Sequence, residues 1–241
     1  MCIRDRYSHF EQANWYDGPK LIFGQFSNFT TTSAVALVLS RPSHPAFILG
    51  KLWSEFIVPP PDDATFSKLI STYTGSGFQL KPVLEQILTH PLLFESINEP
   101  DMIKPPVVYV VGAMRALGLG VTDSTANDYL DAMGELPYFP PNVSGWEGGL
   151  SWLNTDTALA RFAFISTLLS QTQIGDVRGE SADAAYARAY AACGSPWLSP
   201  STVAMLQTIA GAAPSSQANA RIARQTLLRA LILAGPDAQV M

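Results

Sequence analysis

Charge is scarce in this chain. Only 15% of its 241 residues are charged, against roughly 25% in ordinary soluble chains. The 15 basic residues form no run, and the formal net charge is -5, so the electrostatic footprint of a nucleic-acid binder is missing. Long apolar runs are missing too. The longest, Val107 to Val121, contains Arg115 and is shorter than a membrane span. Cysteine is limited to Cys2 and Cys193. The opening MCIRDR reads as the translation of a sequencing-library transposon end and not as native protein, which sets residues 1–6 aside. Cys193 then stands alone, excluding a disulfide framework and a cysteine metal site. Read this way, the native N-terminus lies outside the chain, and its compartment cannot be read from a leader.

Apolar residues, by contrast, are plentiful at 47%. They recur with helical spacing between proline and glycine breaks. The segment around TSAVALVLS should end before Pro42. Ser43 is expected to cap the next helix, with Ile48, Leu52, Phe56 and Ile57 on one face and a spaced Lys51–Glu55 pair opposite. Asp62 or Asp63 should cap a helix stopping at Gly75, and another spans roughly Leu80 to Thr89. Lys104 and Pro105 open an apolar helix, Asp123 or Ser124 starts one that stops at Gly134, and Asn154 or Thr155 caps TDTALARFAFISTLLSQ. That last helix has little room for a polar face and should be central. Three Ala-rich helices follow a polar stretch, Gln171 to Glu180. The expected fold is mainly α, packed and non-solenoid, with one possible strand pair near Lys20 to Phe29. Its expected divisions are residues 7–172 and an Ala-rich subdomain or closing layer at 173–241.

Familiar chemistry has little support. His9, His44 and His90 form no two-histidine helical spacing, so no metal or cofactor is expected, and the latter two precede prolines, where capping or packing is the commoner role. No Gly-x-Ser-x-Gly elbow or phosphate-cradling loop occurs. In YDGPK, Asp17 and Lys20 can pair across a turn or line a cleft.

The most informative stretch is PPNVSGWEGGLSWLN, Pro140 to Asn154. Its prolines stop the preceding element, and its glycines relax the backbone. Trp146 and Trp152 can stack on sugars while Asn142 and Asn154 hold hydroxyls. The same residues also suit a structural plug, with Asn154 as a helix cap. Arg115 and Arg161 lie in apolar helices and require carboxylates or helix-end carbonyls as partners. Together with Lys104 they are candidates for a structural polar network.

YDGPKLIFG, HPAFILGKLWSEFIV, IKPPVVYVVGAMRALG, FPPNVSGWEGGLSWLN and ALARFAF together resemble the C-terminal half of the bacterial family known as domain of unknown function 1800. The likeness runs from Tyr16 to Leu169, with an echo in LILAGPDAQVM. The family pattern falls on Asp17, Lys20, Lys51, Lys104, Pro105, Arg115, Pro141, Asn142, Gly145, Trp146, Gly149, Trp152, Asn154 and Arg161. Where the family commonly has His-Asp, this chain has Tyr16-Asp17.

The resemblance implies a helical bacterial protein, periplasmic or extracellular, often encoded beside an exported family related to sulfatases. Such a partner protein, or a polysaccharide, is then the expected ligand. The family's N-terminal half, with its own His, Asn and Glu motifs, would lie outside this chain. A binding or accessory module for an envelope partner or polymer is the expected function. The alternatives are one part of a hydrolase acting on a polysaccharide or ester, and a pure scaffold.

Overall fold

A computed structural model describes residues 11–95, 99–212 and 218–241. The MCIRDR start, Cys2 and His9 lie outside the described residues. The chain divides into two compact units, one ending at Glu99 and one spanning 100–241. Both are mainly helical, as the punctuation of the sequence predicts.

The first unit opens with a hairpin, β1 (Lys20–Ile22) and β2 (Gln25–Ser27), paired antiparallel with Leu21 opposite Phe26. Its two-residue loop places Phe23 at φ 49° and Gly24 at φ 79°, the left-handed pair that a tight hairpin turn requires. Helices α1 (Thr31–Leu39), α2 (Ser43–Ser54), α3 (Asp63–Gly75), α4 (Lys81–Leu88) and the short α5 (Pro91–Glu95) follow. Leu49, Trp53 and Ile57 from α2 and its end meet Leu69 and Tyr73 of α3 and Val83 and Ile87 of α4 in one core.

Asp62 caps α3 by accepting from the Thr65 amide at 2.7 Å, and these hydrogen bonds hold its carboxyl below the usual range. Two local expectations need correction. Pro42, not Ser43, occupies the N-cap of α2, and no side chain caps it. Lys51 lies 4.8 Å over the Phe47 ring and does not pair with Glu55, because an aromatic face one turn back also shields the lysine stem.

His44 and His90 serve as junction residues. One His44 ring nitrogen meets the Leu39 carbonyl at 3.2 Å and the other the Tyr73 hydroxyl at 3.3 Å. The His90 Nδ1 accepts from the Leu92 amide at 3.3 Å, and its ring stands edge-on to Trp53.

The second unit contains α6 (Pro106–Ala116), α7 (Thr125–Ala132), α8 (Thr155–Ser170), α9 (Ala182–Ala192), α10 (Pro200–Gly211) and α11 (Ala218–Ala234). The compositional change near residue 172 falls inside this unit, and a single core draws on both sides of it. Tyr109, Met133, Phe164 and Leu168 share that core with Ala185, Ala189, Leu206, Leu228 and Ile232. Ala185 and Ala189 lie one turn apart on α9, and their small side chains let α10 and α11 pack closely. The closing segment turns back along the start of α6. Lys104 donates its amide to the Gln239 carbonyl at 2.8 Å, and Met241 donates to the Met102 carbonyl at 2.8 Å. No helix among the described residues is long and apolar enough to cross a membrane.

Cys193 is buried at the end of α9, its thiol 3.9 Å from the Arg229 carbonyl, and burial pushes its pKa up to about 12. Native protein should therefore resist a thiol reagent at pH 8 and react once unfolded. Tyr109, also raised to about 12 by burial, acts in the same direction. Both groups ionise more easily unfolded than folded, so their contribution to stability is complete below about pH 9 and is lost as pH rises toward 12. Urea midpoints at pH 8 and pH 10.5 should differ, with the higher pH less stable. Equal midpoints would contradict this burial.

Candidate functional site: an apolar groove beside the tryptophan loop

The Pro140–Asn154 stretch is held by its own backbone and amides. Asn142 Oδ1 accepts from the Ser144 amide at 2.8 Å, and Asn142 also takes the Gly145 amide on its carbonyl. Gly145 at φ 89° and Gly149 at φ 62° supply left-handed turns that other residues resist. The stretch ends in a 3₁₀ turn, Gly149–Leu153. Asn154 then caps α8, its Oδ1 accepting from the Asp156 and Thr157 amides at 3.0 Å while Thr157 Oγ1 takes the Asn154 amide. Both asparagines are thus committed to local structure.

Trp146 and Trp152 are half-buried, and their indole N–H groups are shut from solvent without an acceptor among the described residues. Around them Tyr138, Phe139, Val143 and Leu150 are exposed.

Leu153 carries this stretch into a groove of about 890 Å³ between α8 and α11. Phe162, Ile165 and Leu169 form one wall and Ala230, Leu231 and Ala234 the other, with Gly235, Pro236 and Gln239 closing the end. A Cβ on Gly235 would lie 2.3 Å from the Leu231 carbonyl oxygen, so glycine allows the chain to leave α11 at this point.

The polar lining is mostly satisfied internally. Ser170 donates to the Thr167 carbonyl at 2.7 Å and Thr226 to the Ile222 carbonyl at 3.1 Å. Gln239 Nε2 donates to the Ala234 and Gly235 carbonyls at 3.0 and 3.2 Å. Ser166 is the exception, with no partner among the described residues. No carboxylate, imidazole, thiol, lysine or arginine side chain lines the groove.

Behind Gln239 lies a polar network that includes Arg161 and Lys104. Arg161, 0% exposed, donates to Gln239 Oε1 at 3.1 Å and to the Lys104 carbonyl at 2.7 Å, and its guanidinium stacks 4.7 Å over Tyr109. Lys104 Nζ donates to the Ala238 carbonyl at 3.0 Å, and Tyr109 donates to the Leu233 carbonyl at 3.0 Å. Burial lowers the pKa of Arg161, opposed by Tyr109 and Glu135, and burial followed by the Arg161 charge lowers that of Lys104. The partners of Arg161 are oxygens of an amide and a carbonyl, with Glu135 occupied in capping α6 through the Val107 amide at 2.9 Å.

The other candidates lie elsewhere. Arg115 is exposed on α6 and takes no part in this network, because the face of α6 that carries it is left uncovered. Asp17 and Lys20 do not pair directly. Asn28 joins them, donating to Asp17 Oδ1 at 2.8 Å and accepting from Lys20 Nζ at 3.3 Å, while Lys20 also donates to the Tyr16 and Gly18 carbonyls. This turn belongs to the first unit and has the character of a local staple.

One buried cluster was not legible in the sequence. Glu180 receives Arg188 at 3.1 Å, Arg224 at 3.0 Å and the Gln225 amide at 3.0 Å. The acid that ends a polar stretch ahead of arginine-bearing helices was the available signal, but its partners lie up to 45 residues away. Among the described residues no three His, Cys, Asp or Glu side chains gather as a metal-binding group.

A family model described as a protein of unknown function (DUF1800) matches residues 4–240. This match extends well beyond the Tyr16–Leu169 segment that carries the visible likeness. No curated protein and no solved structure matches the chain.

Proposed function

We propose that this chain, which belongs to the DUF1800 family of proteins of unknown function, is a binding module whose contact surface is the α8–α11 groove and the adjoining tryptophan loop. The observation that carries this reading is the chemistry of the lining. Apolar walls surround polar groups that, Ser166 apart, already have partners. Such a surface rewards the removal of apolar area from water, at about 25 cal/mol per Å². Its volume falls within the range of ligand clefts, roughly 300–1,000 Å³. A hydrolase site would bring titratable side chains to the lining, and this lining has none, which favours binding over turnover. The location proposed with this role is the cell envelope, in keeping with the family resemblance.

Nile red, an uncharged apolar dye, tests the groove directly. Ala230→Trp fills it from α11, and Ser166→Arg places a charge in it from α8. Each variant should weaken dye binding by about tenfold, with helical content unchanged by circular dichroism. Unchanged dye binding in both folded variants would remove the groove from the proposal.

A further inference from the structure

The first unit holds a pocket of its own between α3 and α4. Thr65, Lys68 and Leu69 line it from α3, Gln86, Thr89 and His90 from α4 and its end, and the buried Trp53 of α2 completes the lining. Each set of three follows the i, i+3, i+4 spacing that brings side chains to one side of a helix. Gln86 Nε2 donates to Thr72 Oγ1 at 2.7 Å and so ties the two helices together one turn beyond Lys68. The volume, about 230 Å³, is several times the roughly 30 Å³ share of one water. It is below the roughly 300–1,000 Å³ of clefts that take drug-sized ligands. Such a space suits a small molecule.

Most hydrogen-bond donors in this pocket are already engaged. Trp53 Nε1 donates to the Pro59 carbonyl at 2.8 Å, and Thr89 Oγ1 to the Glu85 carbonyl at 2.7 Å. Thr65 gives its amide to Asp62 Oδ1 at 2.7 Å and bonds the same carboxylate through its hydroxyl. Lys68 Nζ and His90 Nε2 have no acceptor among the described residues. The His90 ring is nevertheless held in place, because Nδ1 accepts from the Leu92 amide at 3.3 Å and the ring stands edge-on to Trp53 at 5.0 Å. With Nδ1 accepting, the neutral ring carries its proton on Nε2.

One preset N–H and one ammonium thus share a pocket that no carboxylate lines. Asp62, whose carboxyl is held below its usual range first by the Thr65 bonds and then by the charge of His90, stands outside the lining and has its donors in Thr65. Two open donors select an acceptor. The ammonium selects a charged one, since a hydrogen bond to an ion is about twice as strong as a neutral one.

We propose that the α3–α4 pocket binds a small oxyanion, a carboxylate or a phosphate, with its oxygens on Lys68 Nζ and His90 Nε2. The pocket belongs to the first unit alone, so this inference does not depend on the groove.

The test titrates the ¹⁵N-labelled full chain with acetate, phosphate and the neutral acetamide, up to about 50 mM, at a constant ionic strength of about 0.15 M. The signals followed are the Trp53 indole N–H and the His90 ring nitrogens, both at the pocket. Acetate or phosphate should shift both saturably, with half-saturation at roughly 1–10 mM. Acetamide should bind at least about tenfold more weakly. Lys68 is exposed, so its substitution leaves the core intact. Lys68→Gln should weaken anion binding about tenfold or more, and Lys68→Arg, which keeps the charge, should stay within about threefold of the parent. Lys81→Gln removes the same charge from the start of α4, outside the pocket, and should change nothing.

Saturation by acetate alone supports the inference with a carboxylate as the ligand, and saturation by phosphate supports it with a phosphate. The absence of a saturable shift with either anion overturns it. Acetamide binding as tightly as acetate also overturns it, because charge would then play no part. An unchanged affinity in Lys68→Gln, or an equal loss in Lys68→Gln and Lys81→Gln, would replace a site with general attraction to a charged surface.

Discussion

Trp53→Ala should destabilise the first unit by about 3–5 kcal/mol, the largest effect expected from a single truncation in that unit. The ring is 1% exposed and forms the centre of the α2–α3–α4 core with Leu49, Leu69 and Ile87. Truncation removes its apolar area and leaves a cavity that helices on three sides cannot fully fill. It also strips the Pro59 carbonyl of the indole N–H it accepts at 2.8 Å, and His90 of the ring it meets edge-on at 5.0 Å. Trp53→Phe keeps most of the volume and loses only the N–H and part of the ring, so its cost should be about 1–3 kcal/mol. Urea unfolding followed by far-ultraviolet circular dichroism gives both values. A midpoint for Trp53→Ala close to that of the parent would mean that the ring does not hold this core together.

The second large effect belongs to Arg161. Arg161→Ala should cost about 3–5 kcal/mol, combining a cavity beneath Tyr109 with two buried acceptors left bare, Gln239 Oε1 and the Lys104 carbonyl. Arg161→Met separates these contributions. It preserves much of the volume and removes a cation whose burial is itself unfavourable, so its cost should be distinctly smaller. Gln239→Ala should be coupled to Arg161→Ala in a double-mutant cycle by more than about 0.5 kcal/mol, because the two side chains share a hydrogen bond. Additive behaviour would argue against the contact. Gln239 also closes the groove, so a real coupling means that dye binding in Arg161→Ala should weaken along with stability.

The comparison of Arg161 with Arg115 shows where sequence reasoning stops. Both arginines interrupt apolar helices, and the local pattern treats them alike. Arg161 is buried where α8 meets Tyr109 of α6, the Lys104 carbonyl and Gln239 of the closing segment, whereas the face of α6 bearing Arg115 is uncovered. Lys104 and Gln239 reach Arg161 from 57 and 78 residues away, and no spacing rule encodes that meeting. The same limit explains Asn28, which joins Asp17 to Lys20 from the far end of a hairpin.

Legibility of the candidate site was similarly divided. The Pro140–Asn154 stretch was conspicuous by composition, and Asn154 was recognisable as a helix cap. Leu153 and the groove were not, because the groove exists only where α8 faces α11.

By itself, the sequence determined the helices and most of their ends. Capping by Asp62, Ser181, Ser199 and Asn154 involves partners two or three residues away, and a 3.6-residue period is visible in any window of a dozen residues. It also determined the acidic character of the 116–160 region and the shortage of charge throughout. Only the tertiary structure decided which apolar faces became core and which became groove, where the polar network closed, and that Trp146 and Trp152 would be half-buried. Those outcomes depend on which surfaces remote helices bring together, and burial is a property of the pair, not of either segment alone.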